Sequence, residues 1–237
     1  MLILRIGLFL TIITLTVTSD VIAQKKSDEL VSRVDHLVYV TPDFNRGIEE
    51  IEKLLGVRAT PGGQQIGRGT KNALVALGPN AYLEILGPDP EQPSPKDPRP
   101  FGLDGLKESK LIAWFIKGSD LERLRVEAVG NGVPLGEIKS GSRRQTNGVQ
   151  LSWKFTAPWM PVADGIVPFF IDWGDSPHPT VSAAKGASLV NLRAEHPKKK
   201  SVRRMLQQLK LDLPVKSGKS PALIAVIDSP RGRVELR

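Results

Sequence analysis

The segment VDHLVYVTPDFNRGIEEIEKLLGV (34–57) decides the fold class of this chain. Its opening residues, Val34–Val40, are rich in β-branched side chains, which is typical of a strand. Thr41-Pro42-Asp43 follows as a helix start, with the proline inside the first turn. Apolar residues then recur at helical spacing from Phe44 to Leu55, and Gly56 predicts the end of the helix. The segment therefore predicts a strand followed directly by an amphipathic helix.

The remainder of the chain repeats this pattern. Three short strands are predicted after the first helix, at 57–60, 73–77 and 82–86, which gives the order β-α-β-β-β. The second copy has strands at 111–117, 135–140, 149–155 and 167–172 and a helix through 121–129, and the third has strands at 188–193, 213–216, 222–227 and 233–236 and a helix near 198–209. Segments rich in Pro, Gly and Ser, 88–102 and 174–186, connect the copies. The sequence predicts an α+β fold built from three βαβββ units.

The first 23 residues are predicted to be a signal peptide rather than part of the fold. Arg5 supplies a positive start, residues 6–17 form a short run of apolar residues and threonine, and Val21-Ile22-Ala23 ends in the small residue expected before a cleavage site. The run is too short to span a bilayer, which needs about 20 residues. We expect cleavage after Ala23 and a secreted or periplasmic protein with no stable membrane span; an uncleaved N-terminal anchor is the alternative.

Composition excludes several function classes. The chain has 237 residues, a net charge of +8 and no cysteine, so a disulfide scaffold, a cysteine-ligated metal and a thiol nucleophile are excluded. Part of the positive charge lies in KKKSVRR (198–204), which we interpret as a solvated helix face or a contact with an acidic surface. With 5% aromatic residues and no recognisable nucleic-acid motif, we expect no nucleic-acid partner. The chain also lacks a phosphate-binding loop motif and a G-x-S-x-G elbow.

Particular stretches resemble a known family. They are DHLVYVTPD (35–43), GRGTKNALVALGPNAYLEILGPDPEQP (67–93), FFIDWGDSPHP (169–179), LRAEHP (192–197) and PRGRVELR (230–237). Together with the βαβββ repeat, they resemble the vicinal oxygen chelate superfamily and, within it, the glyoxalase-like domain family. The resemblance implies that two units, within 31–175, pack around a cleft, with a third unit at 187–237 packed on them.

The resemblance also implies a metal-site geometry, with a His on the first strand and a Glu on the last strand of a unit. His36 and Glu84 match these positions, and both are isolated polar residues inside apolar strands, where a carboxylate needs a partner or a metal. Imidazole plus carboxylate suits zinc, manganese, iron(II) or nickel. The second copy departs from the pattern, because Ile112-Ala113-Trp114 stand where a His is expected and a shorter acid, Asp172, lies close to the Glu position.

Each candidate also has a structural interpretation. His36 beside Asp35 could be a hydrogen-bonded core residue, Glu84 could pair with Arg68 or Lys71, and Asp172 could accept a hydrogen bond in a tight turn. We take Glu84 as the catalytic group and His36, Glu84 and Asp172 as metal ligands. The candidate substrate-binding residues are Asn72, Trp114, Arg143, Trp173 and His178.

These residues support two leading hypotheses. The first is a metal-assisted lyase or isomerase acting on a small oxygenated molecule, with Glu84 moving the proton. The second is a metal-free protein of the same fold that sequesters a small molecule, which the incomplete ligand set and Trp114 favour. An envelope interaction module is a third class. The odd third unit either caps the cleft within the chain or pairs with another subunit, as in a homodimer.

Overall fold

A computed structural model describes residues 24–145, 148–157 and 161–237. The predicted signal peptide, residues 1–23, lies outside these residues. Residues 24–33 form a first helix, α1, whose Leu30 is buried in the core of the protein. Among the described helices, none is both long enough and apolar enough to cross a membrane.

The order β-α-β-β-β occurs three times after α1, which confirms the predicted α+β fold. Unit 1 consists of β1 (Val34–Val40), α2 (Phe44–Leu55), β2 (Thr60–Gln65), β3 (Thr70–Leu77) and β4 (Tyr82–Pro88). Unit 2 consists of β5 (Lys110–Lys117), α3 (Leu121–Gly130), β6 (Ile138–Arg144), β7 (Gln150–Thr156) and β8 (Phe169–Asp172). Unit 3 consists of β9 (Ala184–Glu195), α4 (Lys199–Gln208), β10 (Val215–Lys216), β11 (Ala222–Ser229) and β12 (Gly232–Leu236).

Local signals explain the first strand and helix. Asp43 caps α2 by accepting a hydrogen bond from the Arg46 backbone N–H. Gly56 ends the helix with a left-handed φ of 71°, a conformation that glycine adopts at little cost. Ile51 and Leu55 are buried on the inner face of α2, as their helical spacing predicted. The helix, its buried face and its end at Gly56 are confirmed, but Pro42 precedes the N-cap Asp43 instead of lying inside the first turn as predicted.

Units 1 and 2 have the same arrangement of strands. In each, the first and last strands pair in parallel, β1 with β4 and β5 with β8, and the units join where β1 and β5 pair antiparallel. The full strand order is β12-β11-β9-β3-β4-β1-β5-β8-β7-β6, with β2 beside β3 and β10 beside β9. The sheet curls so that β2 and β6, from different units, contact each other. This curl creates a concave face between the units.

Two large apolar clusters lie on the sheet. One includes Leu37, Trp114 and Phe170 together with residues of α2, α4 and β11, so it joins all three units. The other is smaller and includes Phe115, Phe155 and Phe169 among its members. Residues of the second cluster line the concave face, as described below.

Unit 3 extends the sheet within the same chain. The start of β9 pairs in parallel with the end of β3, through Val75 with Ala184 and Leu77 with Ala187. The backbone carbonyl of Arg237, the last residue, accepts a hydrogen bond from the Leu111 N–H on β5. The third unit therefore shares both the sheet and the core of the other two.

Some strand bounds differ from the prediction. We expected the second strand at 57–60, but β2 covers Thr60–Gln65, and Thr60 pairs with Leu74. Val57 and Ala59 are buried in the main core without strand pairing, which explains why their apolar character suggested a strand. The partner strand β3 begins at Thr70 rather than at residue 73. The difference places the polar residues Gln65 and Asn72 on strands at the concave face.

Candidate functional site

A cavity of about 290 Å³ opens on the concave face between units 1 and 2. Its lining is mixed, with polar side chains mostly from unit 1 and aromatic side chains mostly from unit 2. The residues used below are His36, Gln65, Arg68, Asn72, Tyr82, Glu84, Phe115, Arg143, Trp153, Phe155 and Trp173. A cavity with a few converging polar groups among apolar walls is the usual form of a small-molecule site.

His36 forms part of the cavity wall from β1. The imidazole is only 4% exposed and stacks between the rings of Tyr82, at 4.6 Å, and Phe115, at 4.1 Å. The β1–β5 register shifts between Val34 and His36, and the Asp35 carboxylate lies 2.7 Å from His36 Nδ1. An ionised carboxylate only accepts hydrogen bonds, so His36 Nδ1 carries the proton in this contact, and Nε2 lies on the side of Glu84.

Asp35 is a fully buried carboxylate that connects distant parts of the chain. Besides His36, it accepts a hydrogen bond from Trp173 Nε1 at 3.1 Å and lies 3.2 Å from His178 Nε2. Burial alone would raise the pKa of Asp35, but the hydrogen bonds from His178 and His36 outweigh burial and lower the pKa to about 2. Asp35 is therefore an anion at neutral pH that fixes the orientation and protonation of His36.

Glu84 reaches the same part of the cavity from β4. Its Oε2 lies 3.9 Å from His36 Nε2. Its other oxygen, Oε1, accepts hydrogen bonds from Asn72 Nδ2 at 2.5 Å and Gln65 Nε2 at 3.4 Å. The separation of 3.9 Å is too long for a direct hydrogen bond. It leaves His36 and Glu84 as two proton-accepting groups that face one point in the cavity.

Arg143 enters the cavity from β6 and is 5% exposed. Its Nη1 donates a hydrogen bond of 2.9 Å to Oδ1 of Asn72, the same side chain that donates to Glu84. A chain of hydrogen bonds thus links Arg143 of unit 2 to Glu84 of unit 1 through one amide. Lys71, which the sequence offered as a partner for Glu84, lies 3.7 Å from Asp89.

Aromatic rings complete the walls. Trp153 and Trp173 lie 5.2 Å apart between centroids, and Phe115 stacks on Phe169 at 4.9 Å. Burial raises the pKa of Tyr82 well above its usual value, so this ring remains a neutral phenol. The walls therefore offer apolar surface in the same cavity as the His36–Glu84 pair.

The structure brings most of the predicted site residues together. His36, Asn72, Glu84, Arg143 and Trp173 all line the cavity. His178 lies behind the wall instead, where Nε2 faces Asp35 and Nδ1 is 2.8 Å from Thr180 Oγ1.

Asp172 does not lie where the sequence analysis placed it. Asp43 and Asp120 cap the helices of units 1 and 2, so equivalent positions are 77 residues apart (120 − 43). That offset matches His36 with Ala113. On the last strands, Glu84 pairs with Val38 in unit 1. The same offset takes residue 38 to residue 115 (38 + 77), and Phe115 pairs with Phe169 in unit 2, so the counterpart of Glu84 is Phe169.

The carboxylate of Asp172 has another role. It accepts a hydrogen bond of 2.9 Å from the Gly174 N–H, and it lines a shallow outer groove rather than the cavity. Asp172 is therefore a hydrogen-bond acceptor in a tight turn, the structural interpretation given in the sequence analysis. Within the described residues, no group of three or more His, Asp or Glu side chains could hold a metal ion.

Trp114 also requires correction. It is fully buried in the main core, on the opposite face of β5 from Phe115, and its Nε1 donates to the Ile166 carbonyl at 2.9 Å. Adjacent strand residues point to opposite faces, so Trp114 cannot share the cavity with Phe115. Its role is packing rather than substrate contact.

Sequence reasoning missed several site residues, among them Asp35 and Gln65. Asp35 was considered only as a neighbour of His36, although a second polar residue in an apolar strand was a visible signal. Gln65 was not among the candidates, because the strands predicted at 57–60 and 73–77 left it in the connection between them. Its contacts with Glu84 and Thr70 depend on the pairing of β2 with β3, which no local pattern reveals.

Comparisons with known proteins agree with the fold. The family model described as "Glyoxalase-like domain" matches residues 34–210, so the chain belongs to this family. The match confirms the family resemblance carried by the sequence, and its members share the vicinal oxygen chelate fold. No curated protein sequence matches the chain.

Solved structures are similar at low sequence identity. A hypothetical protein from Staphylococcus aureus aligns with a TM-score of 0.58 and 15% identity over 85% of this chain and 83% of its own. Methylmalonyl-CoA epimerase from Mycobacterium tuberculosis aligns with a TM-score of 0.38 and 19% identity over 60% of this chain and 87% of its own. A Streptomyces coelicolor methylmalonyl-CoA epimerase variant in complex with 2-nitronate-propionyl-CoA aligns at 0.41 and 18% identity, covering 61% and 96%. At this identity, the first comparison supports the fold alone.

Proposed function

We propose that this protein is an enzyme that moves a proton on a small oxygenated molecule, in a reaction of the lyase or isomerase type. The observation that carries the proposal is the arrangement of Asp35, His36 and Glu84. Asp35 holds the proton of His36 on Nδ1, and the free Nε2 lies 3.9 Å from Glu84 Oε2 at the cavity wall. An imidazole held in one orientation at a cavity wall suits general base catalysis near neutral pH.

The roles of the residues follow from their contacts. His36 Nε2 takes a proton from a carbon next to a carbonyl group, and the electron pair of the broken C–H bond forms an enolate. The resulting imidazolium lies between two carboxylates, Asp35 and Glu84, which stabilise its charge. The imidazolium then passes this proton to the Glu84 carboxylate, and the protonated Glu84 returns it to a neighbouring atom of the enolate, so both side chains end as they began. Removal and return at different atoms is an isomerisation.

A metal ion is implied by the resemblance, and the donor set decides whether it fits. His36 and Glu84 would supply two ligands, but the equivalent positions of unit 2 carry Ala113 and Phe169, which have no donor atom. Two protein ligands fall short of the three or four that protein metal sites normally provide. The residues present therefore do not fit a tightly held zinc, manganese, iron or nickel ion, and the proton transfer above uses protein groups alone.

A second function is a metal-free protein that sequesters a small molecule. The aromatic walls favour it, since Tyr82, Phe115, Trp153 and Phe155 provide binding surface without chemistry. Such a protein would bind the same ligands as the enzyme but would not exchange their protons. The two functions therefore differ in one measurable property.

Export is the further part of the proposal, and it is supported by the sequence of residues 1–23. A mature protein purified from its natural source should begin at Gln24. A mass that includes the first 23 residues would show that the segment is retained as an anchor.

Hydrogen exchange tests the enzyme against the binding protein. The purified protein is incubated in D₂O with a panel of small carbonyl compounds and 2-oxo acids, and deuterium uptake at carbon is measured by mass spectrometry. We expect uptake with at least one compound, and loss of this uptake in His36→Gln. Uptake that matches the protein-free control for every compound, together with measurable binding, would establish the sequestering function instead. Metal analysis should find less than about one tenth of an equivalent of a transition metal, and activity that depends on a stoichiometric metal would contradict the mechanism.

A further inference from the structure

Arg143 lies at the seam where the two units of the cavity meet. Its Nη1 is held 2.9 Å from Asn72 Oδ1, and both groups pack against Gly62 of β2. A Cβ atom at position 62 would lie 2.3 Å from Asn72 Oδ1 and 2.5 Å from Arg143 Nη1. Contacts this short do not occur with real Cβ atoms, so a side chain at position 62 would displace Asn72 or Arg143 from the positions they hold here. Three strands from two units thus hold Arg143 in one place.

The guanidinium is buried beside a neutral partner. Arg143 is 5% exposed, and a guanidinium has five N–H donors. The amide of Asn72 accepts from one of them but contributes no negative charge. Burying a cation is costly unless an anion approaches it closely with good geometry.

The formal charges around the cavity indicate the charge of the missing partner. Two arginines, Arg68 and Arg143, line the cavity with one carboxylate, Glu84. The charge of Asp35 lies outside the lining, against His36 and His178. Glu84 bonds the same Asn72 amide as Arg143, so an anion on Arg143 lies close to one carboxylate, and a monoanion meets less repulsion there than a dianion does. A dianion such as a phosphate ester would leave excess negative charge close to Glu84.

The walls indicate the shape of the ligand. Trp153 and Phe155 line the side of unit 2, whereas the faces of Phe115 are covered by His36 and Phe169. Flat aromatic walls favour flat ligands, and a planar guanidinium favours a planar carboxylate that accepts two parallel hydrogen bonds.

We propose that the cavity binds a small planar monocarboxylate, with its carboxylate on Arg143 and its body between the aromatic walls. The proposal deepens the proposed function, on which it rests for the role of the cavity as the substrate site. Asn72 bonds both Arg143 and Glu84, so a single amide separates the carboxylate from the acid–base pair. The reacting C–H is accordingly on a carbon close to the carboxylate, as in a 2-oxo acid.

Matched probes test the proposal by binding alone. Benzoate and phenylpyruvate are compared with benzamide and methyl phenylpyruvate, which have similar shape and no charge, and with phenyl phosphate. Quenching of tryptophan fluorescence reports occupancy because Trp153 and Trp173 line the cavity. We expect at least one carboxylate to bind about 10-fold or more tightly than its neutral counterpart, and phenyl phosphate to bind more weakly than the carboxylate. Equal binding of charged and neutral probes, or tightest binding of phenyl phosphate, would overturn the proposal.

Variants assign the preference to Arg143. Arg143→Gln should remove the preference for carboxylates, and Arg143→Lys, which keeps the charge without the planar fork, should retain only part of it. Arg203→Gln, on the exposed face of α4, is the control and should bind like the unaltered protein. Gly62→Ala disturbs the contact between Arg143 and Asn72 without changing the charge. It replaces Arg143→Gln in the test if that variant does not fold. An unchanged preference in folded Arg143→Gln or Gly62→Ala would contradict the assignment.

The experiments distinguish failure of the carboxylate site from failure of the proposed enzyme function. His36→Gln should keep the carboxylate preference while losing deuterium exchange, because His36 lies outside the Arg143–Asn72 contact. Carboxylate-selective binding without exchange in the unaltered protein would leave the Arg143 site in place and remove the enzyme. Deuterium exchange on neutral carbonyl compounds, with no preference for carboxylates, would support the enzyme and contradict the carboxylate site at Arg143.

Discussion

Units 1 and 2 have the same element order and the same strand pairing, yet their cavity-facing positions carry opposite chemistry. Unit 1 places His36 and Glu84 at two equivalent strand positions, whereas unit 2 places Ala113 and Phe169 there. The polar pair is supported by hydrogen bonds, and the apolar pair belongs to a packed cluster. The comparison teaches that a duplicated fold has been specialised, with one unit supplying reactive groups and the other supplying a wall. Four predictions follow from this difference, in order of decreasing effect.

The reactive pair should carry the largest effect. Glu84→Gln and His36→Gln should each reduce deuterium exchange by about 10²- to 10⁴-fold, the usual contribution of a general acid or base. Exchange rates by mass spectrometry, normalised for folded protein by circular dichroism, provide the measurement. Exchange within a few-fold of the unaltered protein in both variants would show that unit 1 is not the reactive half.

Asp35 should affect both stability and exchange, because it holds His36. Its pKa of about 2 lies below the ordinary value of 3.8, so its ionised form stabilises the folded state above about pH 4, and this stabilisation is lost as the pH falls towards 2. The shift corresponds to about 2 kcal/mol at neutral pH. Asp35→Asn should therefore lower the free energy of unfolding by about that amount at pH 7 and reduce exchange about 10- to 100-fold.

Urea unfolding across pH checks the sign of the Asp35 effect. The difference in unfolding free energy between the unaltered protein and Asp35→Asn should shrink steadily from pH 5 to pH 2. A difference that stays constant or grows on acidification would mean that the buried carboxylate does not stabilise the fold.

The counterpart of Glu84 in unit 2 should show the opposite behaviour. Phe169→Leu should lower the free energy of unfolding by about 1 kcal/mol, since Phe169 is 5% exposed in the apolar cluster, and should leave exchange within about twofold. Chemical denaturation and the exchange assay, run beside Glu84→Gln, sharpen the comparison. A loss of exchange as large as that in Glu84→Gln would place chemistry in unit 2 as well.

The smallest effect is expected at Asp172. Asparagine can accept the same hydrogen bond from the Gly174 N–H, so Asp172→Asn should change the unfolding free energy by less than about 0.5 kcal/mol and exchange by less than about twofold. Thermal unfolding and exchange provide the check. A decrease of tenfold or more in exchange would restore Asp172 to the site.

Sequence reasoning identified the elements better than their mutual placement. The repeated βαβββ order and the Gly56 cap followed from local patterns, because capping and periodicity depend on neighbouring residues, and the His36–Glu84 pair followed from the family resemblance. The assignment of Asp172 and Trp114 to the site went wrong because it depended on strand register. A shift of one residue moves a side chain to the opposite face of a sheet.

The sequence by itself therefore determined the fold class, the family and the presence of a polar pair in unit 1. Only the tertiary structure decided which groups act together. Asp35 meets His178, 143 residues away in the chain, and Arg143 meets Asn72 across 71 residues. The physical reason is that the curl of the sheet brings β6 against β2, and this long-range packing creates the cavity and buries the Arg143 guanidinium.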